Sequence, residues 1–552
     1  MKPLLPLALL AFAHPLLAQQ PPTAGGQLLQ IPVPQAPPRA LPEMRIEPLA
    51  APPPAVAGET RVLVRRVRVT GASLYQEPQL LAVAGFVPGS ELTLSQLQAM
   101  AGRITAHYRA NGYFVAMAYL PAQDIQDNAV TIAVNEGRYG NIELRNNANL
   151  SDGTMRGRLA GLAGGDVIAL GPLEERLLLL SDLPGINVKS TLAPGLQPGT
   201  SDLLVDVTPG QRVTGSIDAD NAGNRYTGAY RLGATVNVNE PLGLGDVATL
   251  RVLSSGSGLQ YARISYQMQA GRAQVGVAYS ALHYKLGHEF AALGAHGTAG
   301  VASAFARVPL VRSRQSNLFA QLSLDAKTFR DEIDTVPSVV DRRTHVLAAS
   351  LYGDHSDSLG GGGLTSYAVT LAGGDLDIRT PAARALDAAT ARSNGGFGKL
   401  SFNLMRLQSL GGPFSLFASL NGQAAGKNLD VSEKMELGGM NAVRAYPEGE
   451  SFADQGLLAT LEARMDLPRS TSIPGLVQLA AFVDAGTVTI NHDPWAAGDN
   501  HRNLRGAGLG VNWSEPGNFM VRAYYAHKLG HERALSAPDR SGRFWIQAIK
   551  YF

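Results

Sequence analysis

Cysteine is absent from all 552 residues, which excludes a disulfide-built scaffold and suits an oxidising compartment, where a free thiol is a liability. Charge is scarce: 17 % of residues are Asp, Glu, Lys or Arg, against about 25 % in an ordinary soluble domain. The 47 basic and 45 acidic side chains leave a formal charge of +2, too small a field to hold nucleic acid. Long apolar runs are missing beyond the amino terminus, so no transmembrane helix is expected in the rest of the chain. A Gly-x-x-x-x-Gly-Lys-Ser/Thr phosphate loop and a Gly-x-Ser-x-Gly nucleophile elbow are lacking as well. Against these deficits stand 61 Gly, 33 Pro and an apolar fraction of 45 %, in a chain long enough for several domains and a sizeable core.

Met1-Lys2 precedes an apolar run from Leu4 to Leu17 and a small-residue site at Ala18, the pattern of a signal peptide over 1–18. Residues 19–60 form a Pro-rich arm, with eleven prolines between Gln19 and Glu59, a composition that favours extended conformers. From Arg61 the texture is mixed α and β. Val62, Val64, Val67 and Val69 predict a strand, Ser73 a helix cap, and Leu94, Leu97, Met100, Ala101, Ile104 and Tyr108 a helix stopped by Asn111-Gly112. Strands follow around 114–120 and 130–135, giving the order β-α-α-β-β over 61–138. A second pass of the same order runs over 139–209, with Ser151 as a cap and Pro172 opening a helix. Two copies of one small domain or two unrelated α+β domains both fit.

After Thr208 the helical spacing disappears. Val213, Gly215, Ile217 and Ala219 alternate with Thr214, Ser216, Asp218 and Asp220, and sixteen such stretches reach the carboxyl terminus, among them 297–307, 317–328, 342–353 and 364–374. The polar face carries Asp218, Asp220, Arg231, Arg251 and Arg263. Short turns alternate with long loops, as in an outer-membrane barrel. A β-sandwich also alternates; strand length, even count, loop asymmetry and the export signal favour a 16-stranded antiparallel transmembrane β-barrel over 210–552.

Asp220-Asn221-Ala222-Gly223, Tyr226-Thr227-Gly228, Glu240-Pro241-Leu242-Gly243-Leu244-Gly245-Asp246, Pro309-Leu310-Val311-Arg312-Ser313-Arg314 and Ser541-Gly542-Arg543-Phe544 resemble segments of the outer-membrane transporters of two-partner secretion, the haemolysin and filamentous-haemagglutinin secretion/activation family. The resemblance covers nearly all of the mature chain and implies two periplasmic POTRA domains, at 61–138 and 139–209, ahead of the barrel. It implies, too, that the thirty-residue connection 426–455, long for a loop, folds back into the lumen. Its tip, Val443-Arg444-Ala445-Tyr446-Pro447, is similar to a Val-Arg-Gly-aromatic signature whose Arg meets an Asp of the inner wall. Ala445 stands where the family has Gly, which costs steric energy if the position needs a positive φ. The partner follows from alternation: Gln478, Ala480, Phe482, Asp484 and Gly486 share one face, which sets Asp484 toward the lumen. Phe482, Asp484 and Gly486 also match the family's Phe-x-Asp-x-Gly element, so an Arg444–Asp484 ion pair is expected. A pore-plugging helix in the arm would fit only near Leu41 to Ile46.

The function expected is export without ATP of an unfolded exoprotein, a large β-rich adhesin, haemolysin or contact-dependent toxin, from a protein seated in outer-membrane lipid. No cofactor, metal or nucleic-acid partner is expected. An assembly factor for other barrels is the nearest rival. An outer-membrane enzyme or a porin is the alternative of another class, the former suggested by Lys-Leu-Gly-His-Glu at 285–289 and 528–532, where loop placement does not fix a coordination face.

Overall fold

The computed structural model describes residues 21–32, 42–46, 61–495 and 497–552. The signal-peptide segment 1–18 lies outside the described residues.

The first small domain is built from β2 (Val62–Val64), β3 (Arg66–Thr70), α2 (Glu77–Ala84), β4 (Ser90–Leu92), α3 (Leu94–Ala110), β5 (Met117–Tyr119) and β6 (Ala129–Asn135), numbered after an arm helix and an arm strand, α1 (Ala24–Leu29) and β1 (Glu43–Ile46). The order β3-β6-β5 makes its sheet, and α3 buries Leu97, Met100, Ala101, Ile104 and Tyr108 against it. Expectation and structure differ here at two points. The strand expected over Val62 to Val69 breaks at Arg65 into β2 and β3, and β4, which pairs with β2, is additional, because a strand of three residues is too short to show alternation. Ser73 caps no helix: α2 starts later, where Gln79 Oε1 accepts the Gln76 amide at 3.2 Å. Ser73 instead serves the buried carboxylate of Glu136, which accepts its amide at 2.7 Å, the Leu74 amide at 2.9 Å and the Tyr108 hydroxyl at 2.9 Å.

The second domain comprises β7 (Arg138–Asn146), α4 (Asp152–Leu159), α5 (Leu170–Ser181), β8 (Ile186–Pro194) and β9 (Thr200–Pro209). Ser151 caps α4 by accepting the Thr154 amide at 3.2 Å. Its sheet has the order β1-β8-β9-β7, so the arm contributes a fourth strand, parallel to β8 from Glu43↔Lys189 to Ile46↔Leu192. The helix expected near Leu41 to Ile46 is therefore corrected to a strand. Helix α1 lies upstream, at Ala24–Leu29, where two glycines make a poor helix former that only surrounding protein can hold in place.

Sixteen antiparallel strands then close into a barrel. They are β10 (Val213–Asp220), β11 (Arg231–Asn239), β12 (Val247–Ser254), β13 (Leu259–Ala270), β14 (Ala273–Lys285), β15 (Ala295–Arg312), β16 (Ser316–Ile333), β17 (Ser338–Asp357), β18 (Gly363–Ile378), β19 (Gly395–Gly411) and β20 (Phe414–Ala425). Two short strands inside the long loop, β21 (Met435–Glu436) and β22 (Phe452–Ala453), pair with each other; β23 (Gln455–Asp466), β24 (Leu476–Thr489), β25 (His501–Glu515), β26 (Phe519–Lys528) and β27 (Gly542–Tyr551) complete the wall. Closure joins β10 to β27 from Ser216↔Tyr551 to Asp220↔Gln547. Strands β15 to β18 extend past the expected stretches at both ends, 317–328 running as Ser316–Ile333 and 342–353 as Ser338–Asp357, because alternation fades once the outward face leaves lipid and turns polar.

Burial favours the protonated form of Glu136, yet its hydrogen bonds from Ser73, Leu74 and Tyr108 outweigh burial and hold its carboxyl below the usual carboxylate range. Its stabilisation is thus complete above the ordinary carboxylate pKa and is lost as pH falls through the lowered, folded value. Glu136→Gln removes the charge and strands donors, at a cost of about 1–3 kcal/mol. Hydrogen–deuterium exchange of the α3 amides in the whole chain should accelerate in the variant at pH 7, and the difference from the parent should shrink at low pH.

Candidate functional site

The connection from β20 to β23 folds into the barrel and carries its tip to the wall. There the Val443 carbonyl accepts the Tyr446 amide at 3.0 Å, which forms a tight turn and brings Arg444 against β24. Arg444 and Asp484 meet in a bidentate pair, Nε to Oδ2 at 2.9 Å and Nη2 to Oδ1 at 2.9 Å, and the Arg444 backbone amide adds a third bond to Oδ2 at 3.1 Å. Thr460 Oγ1 supplies a fourth at 2.9 Å. Asp484 is fully buried, and Arg444 is 5 % exposed.

The remaining donor face of Arg444 reaches Glu462, Nη1 to Oε2 at 3.0 Å, and Glu462 is bound in turn by Arg464 Nε at 2.8 Å. The guanidinium carbon lies 3.3 Å from the centre of the Phe482 ring and 4.9 Å from that of Tyr524, so the cation is sandwiched by π faces as well as paired. Trp545 Nε1 donates to the Arg444 carbonyl at 2.7 Å. Thus the first and third positions of the Phe-x-Asp element both hold Arg444, one through its ring and one through its carboxylate.

Gly486, the fifth position, acts by what it lacks: a Cβ there would stand 2.2 Å from Leu437 Cδ1 and 3.3 Å from Val443 Cγ2. Ala445 has no positive φ, so the steric cost raised from the sequence does not arise. Its methyl lies where a Cβ on Gly506 of β25 would meet it at 2.6 Å, so the wall supplies a glycine opposite the alanine of the tip. Tyr446 is buried, donates to the Glu532 carbonyl at 3.1 Å, and has Lys528 Nζ 4.7 Å from its ring centre; Pro447 is buried beside it.

Glu462, Thr460, Gly506, Tyr524 and Trp545 belong to this site and were not anticipated. A signal for Glu462 and Thr460 exists: on β23, Leu457, Ala459, Leu461 and Ala463 are exposed outward while Leu458 and Glu462 are buried, so the polar residues fall on the inward parity. The others come from β25 to β27 and meet the tip only through barrel closure.

The rest of the loop is clamped by ion pairs. Asp430 binds Arg342, Glu433 binds Lys327 at 2.6 Å and Lys399 at 3.0 Å, Lys434 binds Asp454 at 3.1 Å, and Glu450 binds Arg502 at 2.8 Å. Helix α1 lies between loop and wall. Its Ala24 amide donates to Asp331 Oδ1 at 2.8 Å, Gln27 Oε1 accepts Thr227 Oγ1 at 2.6 Å, and the Gln30 carbonyl accepts Arg231 Nη1 at 2.8 Å. Asp220 pairs with that same Arg231 at 2.9 Å.

A closed sixteen-stranded barrel behind two small α+β domains, with an inward loop locked on the wall, defines an outer-membrane protein of the POTRA-plus-barrel class. The haemolysin secretion/activation protein family ShlB/FhaC/HecB matches residues 199–513, and the ShlB-type POTRA domain matches residues 62–137. The heme/hemopexin transporter protein HuxB of Haemophilus influenzae (strain 86-028NP) is 30 % identical over 472 residues, 84 % of this chain and 82 % of that one. The solved structure of CdiB from Escherichia coli is similar in fold at a TM-score of 0.68 and 22 % identity, covering 92 % of this chain and 94 % of the other. That of CdiB from Acinetobacter baumannii gives 0.61 at 18 % identity, covering 93 % and 95 %. The chain belongs to the haemolysin secretion/activation family. It is an outer-membrane transporter of two-partner secretion, its barrel in the membrane and its POTRA domains in the periplasm.

Arg444→Ala leaves Asp484 as a buried carboxylate without its cation and takes from Glu462 one of its two, leaving it Arg464 alone, and destabilises the folded barrel by about 3–5 kcal/mol. A lower thermal midpoint for loss of heat-modifiable gel mobility in detergent is the measurement. Ala445→Leu overpacks against Gly506 and should cost about 1–3 kcal/mol in the same assay.

Proposed function

We propose that the described conformation is the resting state of the exporter, with the lumen closed by α1 and the inward loop, and that the Arg444–Asp484 lock sets the position of that loop during transport. The carrying observation is the completeness of the lock: four hydrogen bonds reach Asp484, and Glu462 takes the one guanidinium nitrogen that Asp484 leaves. A buried site so fully paired holds one geometry, as a positioning device for the loop requires.

The cargo is an exoprotein reaching the periplasm unfolded, met by the POTRA domains through strand addition at their sheet edges. A large β-rich adhesin, haemolysin or contact-dependent toxin fits this route. Folding of the cargo outside the cell supplies the driving force, and no nucleotide is required. The candidate site is then Val443, Arg444, Ala445, Tyr446 and Pro447 on the loop, with Phe482, Asp484 and Gly486 on the wall. The units doing this work are the arm 19–60, the POTRA domains 61–138 and 139–209, and the barrel 210–552 with its loop 426–455.

Co-expression with a candidate large β-rich exoprotein from the same genome, followed by assay of the medium, tests the reading. The parent chain should release the cargo, and Arg444→Asp should retain it. Arg444→Asp with Asp484→Arg should recover export only when Glu462→Gln is added, since Glu462 would otherwise face a second carboxylate. Equal cargo in the medium with and without the protein overturns the exporter reading. General loss of outer-membrane proteins on depletion favours an assembly factor.

A further inference from the structure

The segment Pro309–Arg314 has no part in the lock. It ends β15 and opens the periplasmic turn 313–315, at the mouth of the barrel facing the second POTRA domain. Arg312 makes a bidentate pair across that gap with Asp182, the C-cap of α5, Nε to Oδ2 at 2.9 Å and Nη2 to Oδ1 at 2.8 Å. Two residues on, Arg314 Nε pairs with Glu174 of α5 at 3.1 Å, and its Nη2 donates to the Pro42 carbonyl of the arm at 3.0 Å. The preceding periplasmic turn adds Arg272, paired with Glu175 at 3.0 Å. Every acid in this set is on α5 or its cap, and every base is on the barrel rim.

Two further contacts close the joint. Arg158 of α4, buried, donates through Nη2 to Gln269 Oε1 of β13. The Ser151 amide donates to the Gly243 carbonyl at 3.4 Å, in the turn between β11 and β12. That turn is itself rigid, because buried Asp246 accepts the Leu242 amide at 3.1 Å, the Leu244 amide at 3.0 Å and the Tyr266 hydroxyl at 2.7 Å. Two of the segments singled out in the sequence, 240–246 and 309–314, thus meet the same small domain from adjacent parts of the rim.

We propose that Arg312, seconded by Arg314, is a positioning residue for export: it fixes the second POTRA domain over the mouth of the barrel, and transport requires that fixed stance. An exposed ion pair alone would not do this, since solvent screens it. Arg312 differs in being a two-toothed pair at 15 % side-chain exposure, with Asn317 Oδ1 accepting its remaining Nη1 at 2.7 Å. A domain held at one offset hands an extended chain to the lumen at high effective concentration, whereas a swinging domain dilutes it. The idea goes beyond the lock, which lies inside the lumen and shares no residue with this joint.

The test uses the whole chain in two variants. Rim reversal is Arg312→Glu with Arg314→Glu; the swap adds Asp182→Arg and Glu174→Arg. Because the chain has no cysteine, spin labels at Gln197→Cys and Ser472→Cys report the distance from POTRA domain to barrel by pulsed electron resonance. Rim reversal should broaden that distance distribution and lower export about tenfold or more while heat-modifiable mobility stays parental. The swap should narrow the distribution and restore export together. An unbroadened distribution after rim reversal, parental export despite broadening, or a swap that restores distance without export each overturns the proposal. Failure of the parent to export would strike the transport reading instead, and the distances would still decide whether the latch exists.

Discussion

A single buried guanidinium organises the lumen. Removing Arg444 from water is costly, and the structure offsets that cost with a bidentate carboxylate, a second carboxylate and two aromatic faces. Such compensation has one solution in space. It requires β23, β24, β26 and β27 in register and the loop tip at a single depth, because Thr460 and Glu462, Asp484 and Phe482, Tyr524, and Trp545 come from those strands respectively. The lock therefore depends on the strands' register, and it pins the loop 426–455 inside the lumen.

From that pin the packing inside the lumen follows. With the tip fixed, Asp430 and Glu433 near the base of the loop reach Arg342 of β17, Lys327 of β16 and Lys399 of β19. Helix α1 fits into the space left, contacting the wall at Asp331, Thr227 and Arg231. Asp331 also pairs with Arg342, so helix, loop and wall share one connected set of charges. These pairs are out of water, where partners matter more than at the surface, and displacement of any element leaves charges to be satisfied by the others or by solvent. On the proposed reading, export rearranges this set, and the same pairs hold the lumen filled at rest.

Low overall charge takes on a spatial meaning. The outward faces exclude charge because lipid does, and much of what charge the chain has lies inside the barrel or on its periplasmic rim. Near-neutrality overall is a sum of local pairs, Arg231 with Asp220, Arg251 with Asp218 and Arg312 with Asp182 among them. The elevated glycine content is partly of the same origin: Gly486 and Gly506 face the loop tip, where a side chain would displace it.

Alternation together with strand length, even strand count, loop asymmetry and the export signal pointed to the barrel, because lipid and lumen impose opposite demands on successive residues of long strands; alternation also set Phe482, Asp484 and Gly486 on the inward face. Helical spacing with its caps determined α3 and α4, where Leu97, Ile104 and Ser151 follow local rules. What neighbours alone stabilise was not legible. The helix at Ala24–Leu29 has glycines that disfavour it in isolation, and Glu43–Ile46 is a strand only because β8 offers an edge. Arg444 could be matched to Asp484 by motif, and Glu462 lies on the inward parity of the neighbouring β23, but Gly506 and Trp545 meet the tip from β25 and β27, brought against it only as the wall curves shut. Period-two patterning is a local response to solvent and is written in each segment; the company a buried charge keeps is decided only when the sheet closes.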